Sequence, residues 1–350
     1  MSVAVTLSVP DLLNPLRIKE ANSSLANLKL PALQTLLSKG DVFSAKAQNA
    51  YEIASYLFHQ PKACAYASVM AAAEIVDYDQ SIYWLRIDPV QMIADRDSLV
   101  LIPSEDLAIT EVESKALLDA FNQYFEQDKV CLEYGSARHW YLRMAHPVDI
   151  KTHVLESVAY KPVGECYPDG NAAVYWRKMM NEAQMLFFSH PVNEARRESG
   201  LPEINSIWIW GEGLLKDSDI VSRPNAMISS DNLYLRGLAR LAGSQLAGSP
   251  ETYQTWTDSV KAKSDTGSLE ISQHLIQLDP ISDALGHMQQ SEWLAVLEQL
   301  EQQWLTPLIQ ALKNKEIDSL LLDFGSGARY HLKPMHLKRF WRLKRSLTTI

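Results

Sequence analysis

His190, Asn193 and Arg197 recur at spacings of three and four in HPVNEARR, so on a helix they face one point. An imidazole, an amide and a guanidinium placed together suit a carboxylate or a phosphate, because the guanidinium fork binds two oxygens at once. The cluster leads into Asn205–Gly213, NSIWIWGEG, an apolar strand ending in a glycine turn. The carboxyl end of a strand is where α/β proteins usually hold a ligand. Arg86 and Asp88 alternate in the apolar run WLRID, and Arg138 and His139 sit beside the Gly135-Ser136 turn. Each has a plain structural alternative. An arginine on a strand usually closes an ion pair, and a histidine before proline usually caps a helix end.

Asp283 and His287 are four apart in DALGH, a spacing that lets both reach one ion from a turn or helix face. Two ligands do not make a catalytic metal site, which usually takes three from the protein. The chain has no Walker loop, dinucleotide fingerprint, nucleophile elbow or HExxH motif. Cys64, Cys131 and Cys166 are odd in number, scattered, and without zinc spacing, which favours a reducing compartment over a disulfide framework.

The elements that must position these residues alternate between strand and helix, which predicts an α/β fold. Strands are expected at Val3–Val9, Ile82–Val90, Ser98–Ile102, Val130–Tyr134, His139–Met144, Ile204–Trp210, Ser319–Phe324 and Arg329–Leu332. Helices are expected at Leu30–Lys39, stopped by Gly40, and at Ala45–His59, Ala63–Ile75, Ala172–Ser189 and Leu233–Ala242. Thr110 and Glu113 form a capping-box pattern ahead of a helix whose apolar face runs from Val112 to Phe125. A long amphipathic helix is expected over Glu292–Leu312, with Trp293, Leu297, Leu300, Trp304, Leu308 and Leu312 on its stripe. Gly243–Gly267, rich in Gly, Ser and Thr, reads as an irregular surface region.

A chain of 350 residues suggests roughly two domains and can bury a core without disulfide or metal. The amino-terminal MSVAVTLSVPDLL lacks a basic region and reads as a buried first strand, not a signal peptide. No apolar run approaches the ~20 residues that span a bilayer, so the expected compartment is the cytoplasm. A net charge of −9 argues against general nucleic-acid binding. His331–Ile350 is the exception, with six basic residues (Lys333, Lys338, Arg339, Arg342, Lys344, Arg345) and no acidic one. It reads either as a basic helix docked on an acidic body or as a contact for an acidic partner or membrane surface.

The segment His190–Gly213, HPVNEARRESGLPEINSIWIWGEG, resembles the corresponding segment of the archaeal-type cofactor-independent phosphoglycerate mutases of the alkaline-phosphatase superfamily. Leu30–Gly40 resembles that family's early TPNLDxLxxxG helix, Arg86-Ile87-Asp88 its Arg-Cys-Asn strand, and Ile109–Tyr124 its Ser-capped helix. Gly135–Leu142 resembles its Gly-x-x-Tyr-Arg-His strand, Ile228–Gly243 its ISAVDLLKGIGxxAG segment, and Asp283–His287 its Asp-Glu-Ala-Gly-His metal motif. The shared order covers most of the chain and is similar above all to bacterial proteins labelled RpfE-type regulators or mutases.

The resemblance implies an alkaline-phosphatase-like, mostly parallel sheet flanked by helices, with an inserted α+β lid. The core would comprise residues 1–80 and 195–350, and the lid residues 81–194. It also implies two divalent metals (Mn, Zn or Co), a phosphorylated Ser or Thr, and a phosphorylated or carboxylate ligand held by Arg86, Arg138, His190, Asn193 and Arg197. Three departures bear on activity. Where the family's first strand ends in a metal-binding Asp-Gly, this chain reads Leu7-Ser8-Val9-Pro10-Asp11. The late Asp-His pair appears as Asp323-Phe324, and Phe cannot ligate. Ser68 and Ser81 lie nearest in order to the nucleophile, without its neighbours. Asp283, His287 and Asp323 are what remains of the metal set. A two-metal centre neutralises phosphoryl charge and activates the nucleophile, and without it much of the electrostatic stabilisation is lost. The expectation is therefore a binding or regulatory protein without a cofactor. The alternatives are an active metal-dependent mutase or phosphotransferase, and an interaction protein using the basic tail.

Overall fold

The computed structural model describes residues 3–45, 48–61, 65–95, 98–266, 270–286, 288–343 and 346–347. The chain divides into two compact units, one of residues 1–62 with 220–350 and one of residues 63–219. The divisions at 62/63 and 219/220 differ from the expected 80/81 and 194/195. The helix Tyr66–Glu74 packs on strands of the second unit, which carries the preceding boundary with it.

In chain order the strands are β1 (Ala4–Ser8), β2 (Asp41–Ser44), β3 (Tyr83–Asp95), β4 (Ser98–Ile102), β5 (Leu132–Ser136), β6 (His139–Met144), β7 (Ser206–Gly213), β8 (Ala226–Ser229), β9 (Gln245–Ala247), β10 (Gln273–Gln277), β11 (Ser319–Asp323) and β12 (Ala328–Leu332). The first unit holds a sheet of order β2-β12-β11-β1-β10-β8-β9. Its strands from β11 to β9 are parallel, and β12 and β2 are antiparallel at one edge. Helices pack on it, as expected for a parallel sheet.

Alternation along the strands assigns the two faces. Val5, Leu7, Ile276, Leu320, Leu322, Tyr330 and Leu332 enter one hydrophobic core with the helices Pro31–Lys39, Gln290–Leu300 and Thr306–Asn314. Ser8, Gln277 and Asp323 stand in register on the opposite face. Phe324 is fully buried in the hydrophobic core. Past it the chain turns through Gly325 at φ 71°, where a Cβ would lie 2.3 Å from the Asp11 backbone nitrogen, so no side chain fits.

The helix expected over Glu292–Leu312 is interrupted by a π turn at Glu301–Leu305. The turn puts the buried Glu301 carboxylate against the start of the helix Pro31–Lys39, where it accepts from the Ala32 and Leu33 amides at 2.5 and 2.9 Å. That helix has no side-chain cap of its own at Leu30, so Glu301 satisfies its first amides. Glu301→Ala is expected to lower stability by about 1–3 kcal/mol, the cost of leaving buried donors unpaired. Urea-unfolding midpoints of the two proteins check it.

Gly243–Gly267 is not irregular throughout. Thr252 and Thr255 exchange hydrogen bonds at 3.0 and 3.1 Å across the first turn of the helix Tyr253–Thr266, which Trp256 anchors in the core. Nor do the described residues of the basic segment form an α-helix, and Pro334–Lys338 is a 3-10 turn. Trp256 also meets His274 edge-on at 5.2 Å. Burial pushes the His274 imidazole from 6.5 down to about 4, and its Nδ1 has no hydrogen-bond partner among the described residues. Below 6.5 the unfolded chain takes up a proton that the folded chain refuses. His274 therefore stabilises the fold fully above pH 6.5, and that contribution is lost as pH falls through about 4. The loss is about 3 kcal/mol. Unfolding curves at pH 7 and pH 4.5 should converge by a comparable amount in His274→Phe.

The second unit holds a five-stranded antiparallel sheet of order β4-β3-β6-β5, with β7 also on β3. The Thr110–Glu113 capping box forms as expected, at the head of the helix Glu111–Tyr124. Among the described residues, no helix is long and apolar enough to cross a membrane.

Candidate functional site

In the first unit, polar side chains gather at the carboxyl edge of the parallel sheet. Ser8 ends β1, flanked in register by Asp323 of β11 and Gln277 of β10. Asp279, just past β10, accepts from the Ser230 hydroxyl at 2.9 Å, the Asp231 amide at 2.6 Å and the Gln277 amide group at 2.8 Å. Asp323 accepts from the Arg329 Nε at 2.7 Å and from the Gly325 amide at 3.2 Å. Arg329 comes from β12, donates to Gln48 at 3.0 Å, and lies 4.0 Å from the Tyr56 ring centroid. Asp323 and Arg329 are each 5% exposed. The Ser8 and Ser229 hydroxyls, both buried, have no hydrogen-bond partner among the described residues.

In the second unit, register places Tyr141 of β6 and Trp210 of β7 on either side of Arg86. Arg86 donates from Nε to Asp88 at 2.8 Å and from Nη1 to the Met70 sulfur at 2.7 Å, and lies 5.1 Å from the Trp210 ring centroid. The Trp210 indole donates to the other Asp88 oxygen at 2.7 Å. Glu74 takes the Tyr141 hydroxyl at 2.6 Å and pairs with His139 Nδ1 at 2.9 Å. Burial pushes the Glu74 carboxyl up, but the His139 and Tyr141 hydrogen bonds outweigh it and hold it below its usual range. Burial pushes Tyr141 far above the usual phenol range.

The helix Pro191–Glu198 is assembled from the motif that opened the sequence. His190 caps it, accepting from the Val192 amide at 3.2 Å, and burial lowers its pKa. Asn193 is fully buried. It donates to the Phe187 and Ile204 carbonyls at 2.8 and 2.9 Å and accepts from the Ile204 amide at 2.8 Å. Arg196 donates to the Pro202 and Leu107 carbonyls and to Glu113. Arg197 pairs with Glu203 at 2.9 Å and packs over Phe188.

No protein-family model matches the chain. The 2,3-bisphosphoglycerate-independent phosphoglycerate mutase of Methanothrix thermoacetophila is 27% identical over 162 residues, 44% of this chain and 41% of that protein. A probable mutase of the same description from Geobacter sulfurreducens is 24% identical over 192 residues, 53% of this chain and 48% of that protein. The chain thus spans less than half the length of these two relatives. Among solved structures, the PH0037 protein from Pyrococcus horikoshii has a TM-score of 0.59 at 15% identity, covering 95% of this chain and 88% of its own. The cofactor-independent phosphoglycerate mutase from Thermoplasma acidophilum has a TM-score of 0.51 at 15% identity, covering 100% and 94%. The chain has a phosphoglycerate-mutase-like fold.

The metal pair implied for such a fold finds a poor donor set here. Asp323 is already neutralised by Arg329, and Asp279 carries three hydrogen-bond donors. Ser8 and Gln277 are neutral groups that bind divalent cations weakly beside carboxylate and imidazole. Phe324 lies in the apolar core. Asp283 is exposed on the helix Asp279–Ala284, and His287 lies outside the described residues. Among the described residues, no group of three or more His, Cys, Asp or Glu side chains is placed to hold a metal ion. These residues do not fit a two-metal centre.

The five residues expected to bind an anion do not share one acceptor. Arg86 closes on Asp88 and Arg197 on Glu203, while Arg138 is exposed in the β5–β6 turn. Asn193 spends its amide on main chain. Ser68 and Ser81, both in the second unit, bond to Tyr78 at 2.9 Å and Asp79 at 2.7 Å. Sequence reading missed Asp279, Gln277, Arg329, Glu74 and Tyr141. Asp279 lies two residues past the end of β10, and recognising that strand would have marked it.

Proposed function

We propose that this chain is a binding or regulatory protein on a phosphoglycerate-mutase-like scaffold and does not catalyse metal-dependent phosphoryl transfer. A regulatory role of the RpfE type is the finer form of the same reading. The observation that carries it is the Arg329–Asp323 ion pair at the carboxyl edge of the core sheet. A fixed guanidinium supplies positive charge there without an open coordination position. It can neither activate a nucleophile nor bridge a transferring phosphoryl group as a metal does. Any phosphorylated or carboxylate ligand would be met by groups still facing solvent in the second unit, chiefly Arg138 and His190.

The test is interconversion of 2- and 3-phosphoglycerate by the purified protein with manganese, cobalt or zinc added. The expected result is no turnover above the metal-only control. Metal-dependent turnover that vanishes in Asp279→Asn or Asp283→Ala would overturn the proposal in favour of an active mutase, the activity named for the curated relatives.

A further inference from the structure

We propose that the segment Lys333–Leu343, together with the β2 edge, docks on an anionic phospholipid surface. The segment is held in one place by its arginines. Arg339 donates to the Lys39 carbonyl at 2.9 Å and to Asp41 at 2.6 Å. Arg342 donates to the Gly40 carbonyl and lies 3.5 Å from Asp41. These contacts satisfy carbonyls at the end of the helix Pro31–Lys39 and neutralise Asp41. The Arg339 hydrogen bond holds that carboxyl below its usual range.

Pinning the arginines inward turns the apolar side chains outward. Phe340 and Leu343 are each 84% exposed and Trp341 65%, with the two rings in edge contact at 5.2 Å. Leu343 and Val42 of β2 share an open groove of about 420 Å³ with Ser38 and Arg342, which joins the segment to the edge strand. An exposed cluster of this kind marks an interaction site.

Charge selects the occupant. Lys333 and Lys338 of the same segment are exposed, the segment has no acidic residue, and the adjacent Asp41 is neutralised. A locally cationic patch on a chain of net charge −9 gives an anionic surface a place to bind. Tryptophan and phenylalanine enter the headgroup boundary while lysines at their base meet lipid phosphates. A folded acidic protein would instead need a shaped polar rim around the rings.

The experiment is co-sedimentation of the full chain with vesicles of phosphatidylcholine, alone or with about a third phosphatidylglycerol. Binding is expected to be about tenfold stronger to the anionic vesicles and to weaken with salt. Phe340→Ser with Trp341→Ser, and separately Lys333→Glu with Lys338→Glu, should each lose that binding while circular dichroism and thermal midpoint stay unchanged. Absence of sedimentation with anionic vesicles would overturn the proposal. So would undiminished binding by the Phe340/Trp341 variant, or a dimer that this variant dissolves in the absence of vesicle binding.

Discussion

Asp323→Ala is expected to destabilise the protein by about 3–5 kcal/mol, the cost of leaving a buried arginine without its counter-charge. Arg329 is 5% exposed and its Nε is directed at Asp323 at 2.7 Å. Arg329→Met alone should cost a similar amount by stranding the carboxylate. The double variant Asp323→Leu with Arg329→Met should regain most of the loss, because apolar groups of similar size often replace a buried ion pair at little cost. Denaturant unfolding of wild type, Asp323→Leu, Arg329→Met and the double variant gives the coupling energy directly. If Asp323 were instead a metal ligand in solution, added manganese or zinc would stabilise wild type and not Asp323→Ala.

Asp88→Ala should produce the other large effect, again about 3–5 kcal/mol. Asp88 is fully buried and holds both the Arg86 guanidinium and the Trp210 indole. Its removal takes from both groups, one of them charged, the carboxylate they share in the interior of the second sheet. Asp88→Asn should cost less, since the amide oxygen still accepts one of them. A loss below about 1 kcal/mol in Asp88→Ala would show that Arg86 is not committed to this network. It would then be available as the anion clamp that its strand position suggested. By contrast Arg138→Ala, on an exposed turn, should leave stability within about 0.5 kcal/mol of wild type.

The elements with strong periodicity or capping chemistry were legible in the sequence. The Thr110 capping box, the stripe from Trp293 to Leu312 and the apolar strand before Trp210 each carry a local signal that tertiary contacts reinforce. The short strands β8 and β10 were not, because AMIS and QHLIQ hold only three and two apolar residues, too few to show a period. That omission concealed Asp279, whose position depends on where β10 ends. The threonine pair that starts the helix Tyr253–Thr266 looked like loop composition.

Spacing found the motif around His190 but not its task. Residues three and four apart do share a helix face. Yet whether Asn193 meets a ligand or the Ile204 backbone depends on how the following strand returns, which local sequence does not contain. The Arg329–Asp323 ion pair was likewise hidden. It rests on β12 running antiparallel beside β11 and setting Arg329 opposite Asp323.

Equilibrium dialysis against manganese and against zinc, read as metal per chain, tests most directly whether the core sheet is closed to metal ions. The expected result is well under one ion per chain at micromolar free metal, with no change on Asp323→Ala or Asp279→Asn. One or two ions bound tightly in wild type and lost in either variant would contradict it.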